Sequence, residues 1–241
     1  MIDSNSQVES FDFEAGALLL VDKPIGWTSF DVVNKLRYAL RSSLGIKKIK
    51  VGHSGTLDPL ATGLLIICSG KATKKINDLT GLDKIYSGEI TLGASTPSYD
   101  KETAPDAWFD TSHLTESIVD RAVQELKGDQ MQVPPMYSAI KIDGQPLYKK
   151  ARKGKLVEIP ARPVTIHDFE IKKFELPLLK FEVHCSKGTY IRSLAHDLGK
   201  KLRTGGYLSG LRRLSIGSYH IDQARTIDEW LAIISKNNAQ K

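Results

Sequence analysis

Cysteine is scarce in this chain: of 241 residues only Cys68 and Cys185 carry a thiol, and they form no CxxC pair. That argues against a disulfide framework or a cysteine-based zinc site, and it suits a reducing cytoplasm. Long apolar runs are missing too, since no stretch approaches the roughly 20 residues that would span a bilayer. The N-terminus, MIDSNSQVESFDFEAG, is polar and acidic where a signal peptide needs a basic start and an apolar run. Neither export nor membrane insertion is therefore expected. The segment CSGKAT at 68–73 would suit a phosphate loop only with glycine at position 65, where Leu65 stands.

What is present is the composition of an ordinary globular protein, 41% hydrophobic and 26% charged, with enough length for a full core. Lys and Arg outnumber Asp and Glu by 34 to 28, a net charge of +6 that favours polyanionic partners without identifying one. Residues 1–15 read as a flexible tail and 16–241 as one domain, with no internal repeat or linker. ALLLVDKP reads as a strand, and WTSFDVVNKLRYALR as a helix with a capping-box start at Thr28 and Asp31 and Phe30, Val33, Leu36 and Leu40 at helical spacing. RSSLGIKKIK reads as a basic loop, LLIIC as a short buried strand, and the residues from Lys71 as a polar helix ended by Gly81. In KIYSGEITLG, Tyr86, Gly88, Ile90 and Leu92 share one face of a strand.

A further helix over 115–128 turns Ile118, Val119, Ala122 and Leu126 inward. From about 130 to 157 the chain is proline-rich and basic, an expected projecting arm with a hairpin signal at Asp143 and Gly144. Strands follow at RPVTIHDFEI and LLKFEVHCS. A helix opening near Thr189 has the stripe Ile191, Leu194, Ala195, Leu198 and Leu202; a basic strand, LRRLSIGSY, and a short helix complete the chain. Runs of strands with helices between them imply an α+β fold with a mixed, largely antiparallel central sheet. A metal held by His184 and Cys185 is set aside, because neighbouring residues of a strand face opposite ways; His184 reads as a surface histidine.

VGHSGTLDPLATG, residues 51–63, stands apart. Pro59 disfavours helix at Asp58, and the glycines at 52, 55 and 63 permit tight or left-handed turns around it, so a carboxylate can be presented from a fixed bend. A plain Asp-Pro turn whose carboxylate caps local amides is the competing reading. His53, the basic flanks and a second polar cluster, CSKGTYIRS, weigh against it. In that cluster, amides at a helix start attract anions, Arg192 can pair with a carboxylate and keep it ionised, and Tyr190 can stack on a base. Tyr190 capping the core and Arg192 bridging the surface stays the alternative.

VDKPIGWTSFDVV, VGHSGTLDPLATGLLIICSGKATK, KIYSGEITLG, PPMYSAIKIDGQPLYKKARKG, ARPV and CSKGTYIRSLAHDLGKKL…GGYLSGLRRL together resemble, in order, the motifs of the TruB-type tRNA pseudouridine synthases over about residues 17–230. The resemblance implies that Asp58 is the catalytic residue. It further implies that His53 contacts RNA, Tyr86 and Tyr190 enclose the target base, Arg192 partners the carboxylate and Leu211 forms an apolar pocket wall. Lys23, with Pro24, would support the site and the substrate. Ser54 departs from the threonine common in the family, keeping the hydroxyl. The small C-terminal RNA-binding domain of many members is not expected here.

The implied reaction converts the T-loop uridine of tRNA, conventionally numbered 55, to pseudouridine, with no cofactor and no metal. The implied partner is the tRNA T stem-loop, met by a monomer without an obligatory protein partner. Lys47, Lys48, Lys50, Lys149, Lys150, Arg152, Lys153, Lys155, Arg212 and Arg213 supply phosphate contacts in this reading. A non-catalytic tRNA-binding or tRNA-folding module on the same scaffold, and a synthase acting on another structured RNA, are the rivals.

Overall fold

The structure is a computed structural model that describes residues 11–138, 140–142, 144–147 and 157–236. In chain order it runs β1 (Leu18–Lys23), α1 (Ser29–Leu44), β2 (Val51–His53), β3 (Ala61–Ser69), a 3-10 turn into α2 (Ile76–Thr80), β4 (Lys84–Leu92), β5 (Ala94–Ser95), β6 (Ala107–Trp108) and α3 (Glu116–Gln124). Then come β7 (Gly128–Gln132), β8 (Lys141–Ile142), β9 (Gln145–Pro146), β10 (Arg162–Glu175), β11 (Leu178–Cys185), α4 (Ile191–Leu202), β12 (Gly206–Ile216), β13 (Tyr219–His220) and α5 (Ile227–Lys236). The strand pairings are antiparallel and helices flank them, the expected α+β class. Two compact units emerge, residues up to Gly81 with Tyr219 onward, and Leu82–Ser218.

In the first unit, β3 pairs antiparallel with β1 and β2. Its core joins Leu19, Val21, Leu65 and Ile67 of the strands to Val32, Val33, Leu36 and Leu40 of α1 and to Ile227, Trp230 and Ile234 of α5. The capping box forms as expected: the Asp31 amide donates to Thr28 Oγ1 at 3.0 Å and the Thr28 amide to Asp31 Oδ2 at 2.9 Å. The helix outruns its expected end and stops at Leu44, where left-handed Gly45 caps it. Phe30 is exposed, because Ser29 takes the inward place in the first turn. The expected tail also ends early: Phe13 is buried in this core, and Phe11 stacks on it and meets the edge of Trp230 at 5.4 Å. Two aromatic rings outweigh the polar residues around them.

The second unit orders its strands β12-β4-β11-β10-β7, all antiparallel. One face of β11, made of Leu179, Phe181, Val183 and Cys185, is buried as its alternation predicts. Helix α4 packs backbone to backbone on β12, since a Cβ on Gly199 would fall 2.2 Å from the Gly206 nitrogen. In α3, Val119, Ala122 and Val123 turn inward while Ile118 is exposed, a rotation of the expected stripe. The expected arm begins later than position 130, because Gln130–Gln132 are laddered to β10. Beyond it β8 pairs with β9 as the hairpin the Asp-Gly signal called for. Asp143, Lys149, Lys150, Arg152, Lys153 and Lys155 lie outside the described residues, as do positions 1–10 of the expected tail.

Candidate active site

The turn around Asp58 is held on both sides by partners distant in sequence. Ser29, fully inside the protein at the first turn of α1, accepts the Leu57 amide on its Oγ at 2.8 Å and donates to the Leu57 carbonyl at 3.1 Å. On the other side the Gly26 amide donates to the Pro59 carbonyl at 2.8 Å, and the Asp58 carbonyl takes the Ala61 amide at 3.0 Å. A half-exposed residue is thereby fixed between two clamped neighbours. Gly55 and Gly63 have positive φ, as expected of a tight loop. Gly52 does not; a Cβ there would meet only the Ile76 Cδ1 at 2.7 Å, the end of a side chain that can turn aside.

Lys23 is completely buried, and its ammonium donates to the Pro24 carbonyl at 2.9 Å and the Trp27 carbonyl at 2.7 Å. It closes the turn that carries Gly26, so it supports the loop from within and offers no surface to a nucleotide. His53 ends β2, opposite Ile67 in the ladder, with its side chain half-buried. Buried Ser54 follows it and donates its amide to the Ile66 carbonyl at 3.0 Å. Lys48 and Lys50, with Lys71 and Lys74, line a cavity of about 350 Å³ in the first unit. Lys71 and Lys74 escaped the sequence reading because a polar helix face shows no sign of the cavity it borders.

In the second unit Tyr86 lies on β4 opposite Val183 of β11 and Arg213 of β12. Leu211 faces Gly88 in the same ladder, two pairs along, so it is a diagonal neighbour of Tyr86 on one face. Arg213 is 1% exposed and cannot reach a phosphate, which corrects its expected role as an RNA contact. Lys84 shares this face and was not foreseen. Burial first, and then the Arg213 charge, push its ammonium down to about 8, and it donates to the Leu82 carbonyl.

Tyr190 takes the N-cap position of α4. Buried Gln132 grips its backbone twice, accepting the Tyr190 amide at 2.8 Å and donating to its carbonyl at 3.1 Å. The Arg162 guanidinium lies 4.9 Å from the centre of the tyrosine ring. Arg192 is no surface bridge. It is 4% exposed, with Nη1 3.4 Å from Asp100 Oδ2 and hydrogen bonds to the Ser98 and Tyr137 carbonyls at 3.3 and 2.9 Å. Asp100 is held in turn by the Ser98 hydroxyl at 2.6 Å and the Glu102 amide at 2.9 Å. Gln132 and Asp100 are positioned by tertiary packing, and no local motif marks them; Arg162 belongs to ARPV, but nothing local places it over the Tyr190 ring.

Two family descriptions match this chain: TruB family pseudouridylate synthase (N terminal domain) over residues 41–191, and tRNA pseudouridylate synthase B C-terminal domain over residues 192–241. A tRNA pseudouridine synthase B from Flavobacterium johnsoniae is 52% identical over 214 residues, 88% of this chain and 93% of the relative. One from Phocaeicola vulgatus is 48% identical over 223 residues, 91% of this chain and 95% of the relative. Among solved structures, a chain of a Cbf5-Nop10-Gar1 complex superposes with a TM-score of 0.67 at 24% identity, covering 94% of this chain and 62% of that one. This chain thus spans under two thirds of that structure's chain, and the likeness speaks for the fold.

Proposed function

The chain belongs to the TruB family of pseudouridylate synthases, and on that premise we propose that it isomerises the T-loop uridine of tRNA, conventionally position 55, to pseudouridine. The observation that carries this reading is the doubly clamped turn at Asp58, with Ser29 on one side and Gly26 on the other. A carboxylate that must meet one atom of a large substrate gains from such fixation, because each lost degree of freedom is settled before binding.

The uridine must leave its stack to be reached, at a cost of a few kcal/mol that new stacking and hydrogen bonds offset. His53 braces the vacated space, Tyr86 and Tyr190 hold the ring, and Leu211 forms an apolar wall. Asp58, ionised with Arg192 as its cation, drives cleavage of the N1–C1′ bond. The freed base turns, a C5–C1′ bond forms, and the C5 proton passes to a base and on to N1. Composition is unchanged between substrate and product, so the isomerisation itself consumes no oxidant and no energy source. Residues 16–241 act as one catalytic domain, as a monomer in the cytoplasm. Exposed lysines, among them Lys47, Lys48 and Lys50, grip the phosphates.

The test is the full chain with an unmodified tRNA transcript, with pseudouridine mapped by position. Conversion at the T-loop uridine supports the reading. Binding without any pseudouridine identifies a non-catalytic module, and pseudouridine only in other structured RNAs removes the tRNA assignment.

A further inference from the structure

We propose that Asp83, His167 and His184 form a binding site for a divalent transition-metal ion of the zinc class, with three protein ligands and the fourth position left to water. One ligand atom from each residue lies within 4.8 Å of the others. His167 Nε2 is 3.2 Å from Asp83 Oδ2, and the two imidazole rings are 4.7 Å apart at 47°.

The ladder explains how these side chains meet. Asp168 of β10 pairs with His184 of β11, and an unbroken register would then set His167 opposite Cys185, on the face away from His184. A bulge intervenes. Cys185 pairs instead with Ile166, so His167 is the extra residue, and a bulge re-aims the side chain it carries. On the other side of β11, His184 pairs with Ile85 of β4, which brings Asp83 at the entrance of that strand beside it. Three neighbouring stretches of chain therefore each supply one ligand.

The donor set selects the ion. Two imidazoles and one carboxylate suit zinc, cobalt or nickel, whereas magnesium and calcium take oxygen ligands. Ligands bound tetrahedrally at about 2.0–2.2 Å lie roughly 3.4 Å from one another. The His167–Asp83 pair is already at that spacing, and rotation of half-exposed side chains closes the remainder. Lys127, paired with Asp168 at 2.8 Å, holds the carboxylate next to the bulge engaged elsewhere. A bound ion would tie the lead-in of β4 to β11 and β10 and pin the bulge.

The experiment titrates untagged full-length protein with Co²⁺, followed by its visible absorption, and then displaces it with Zn²⁺. Saturation at one ion per chain in the micromolar range is expected, with Zn²⁺ raising the melting midpoint. His184→Ala and His167→Gln should each weaken binding by about 100-fold, some 2.7 kcal/mol, and abolish the melting shift, while His220→Ala changes neither. Circular dichroism confirms that each variant folds. The proposal is overturned if no saturable binding occurs below about 1 mM, if the double variant His167→Gln/His184→Ala binds as wild type does, or if Mg²⁺ displaces Co²⁺ as readily as Zn²⁺ does.

Discussion

Replacing Arg192 by methionine keeps most of the stem volume and removes the guanidinium. It leaves Asp100, 5% exposed, with the Ser98 hydroxyl and the Glu102 amide on Oδ1 but no cation for Oδ2. The Ser98 and Tyr137 carbonyls lose their donors as well. Breaking a buried ion pair from one side costs about 3–5 kcal/mol, against about 0–1 kcal/mol for a solvated pair. Adding Asp100→Asn to Arg192→Met removes the stranded charge while preserving an acceptor for Ser98 and Glu102. The double variant should thus be more stable than Arg192→Met alone, with a coupling energy of about 2 kcal/mol or more. Urea denaturation of the four proteins measures this, and amide exchange along α4 follows the second unit by itself. A cost below about 1 kcal/mol for Arg192→Met, or additivity across the cycle, would refute the reasoning.

The Lys84 ammonium titrates near 8 in the fold and near 10.5 in the unfolded chain, so between those values the unfolded state holds the extra proton and stability rises with pH. Relative to Lys84→Met, the wild type should gain about 2–3 kcal/mol between pH 7 and pH 10; a constant difference in denaturation midpoints would contradict this. Gln132→Ala orphans the Tyr190 amide, while the Tyr190 carbonyl keeps the Leu194 amide at 3.1 Å, and should cost about 1–3 kcal/mol, which thermal or urea unfolding reads directly. Replacing Lys48, Lys50, Lys71 and Lys74 together by alanine should reduce the slope of log affinity for tRNA against log salt by about 3–4. An unchanged slope would exclude that cavity from the RNA surface.

Where a segment's neighbours in sequence decide its structure, the sequence was a good guide. The Thr28–Asp31 box, the alternation in β4 and β11 and the stripe on α4 are local patterns, and all appear as read. The errors share one physical origin. Phe30, Ile118 and Arg213 take their exposure from what packs against them, and hydrophobicity or charge alone assigns each to the wrong side, while Phe13 is a core residue hidden in a polar stretch. Asp58 stood out because proline and glycine fix backbone, but Ser29, which holds the preceding residue, carries no local sign of its task. Likewise His184 and Cys185, as neighbours in a strand, face opposite ways, yet the bulge at His167 that supplies a cross-strand partner is invisible until the register is known.

The measurement that bears most directly on the account is Asp58→Asn, tested for tRNA affinity and for single-turnover pseudouridine formation side by side. The amide keeps the shape of the side chain and cannot act as the nucleophile, so the account predicts wild-type binding with no product. Product formed at the wild-type rate would show that Asp58 is only a turn residue and that the chemistry belongs elsewhere.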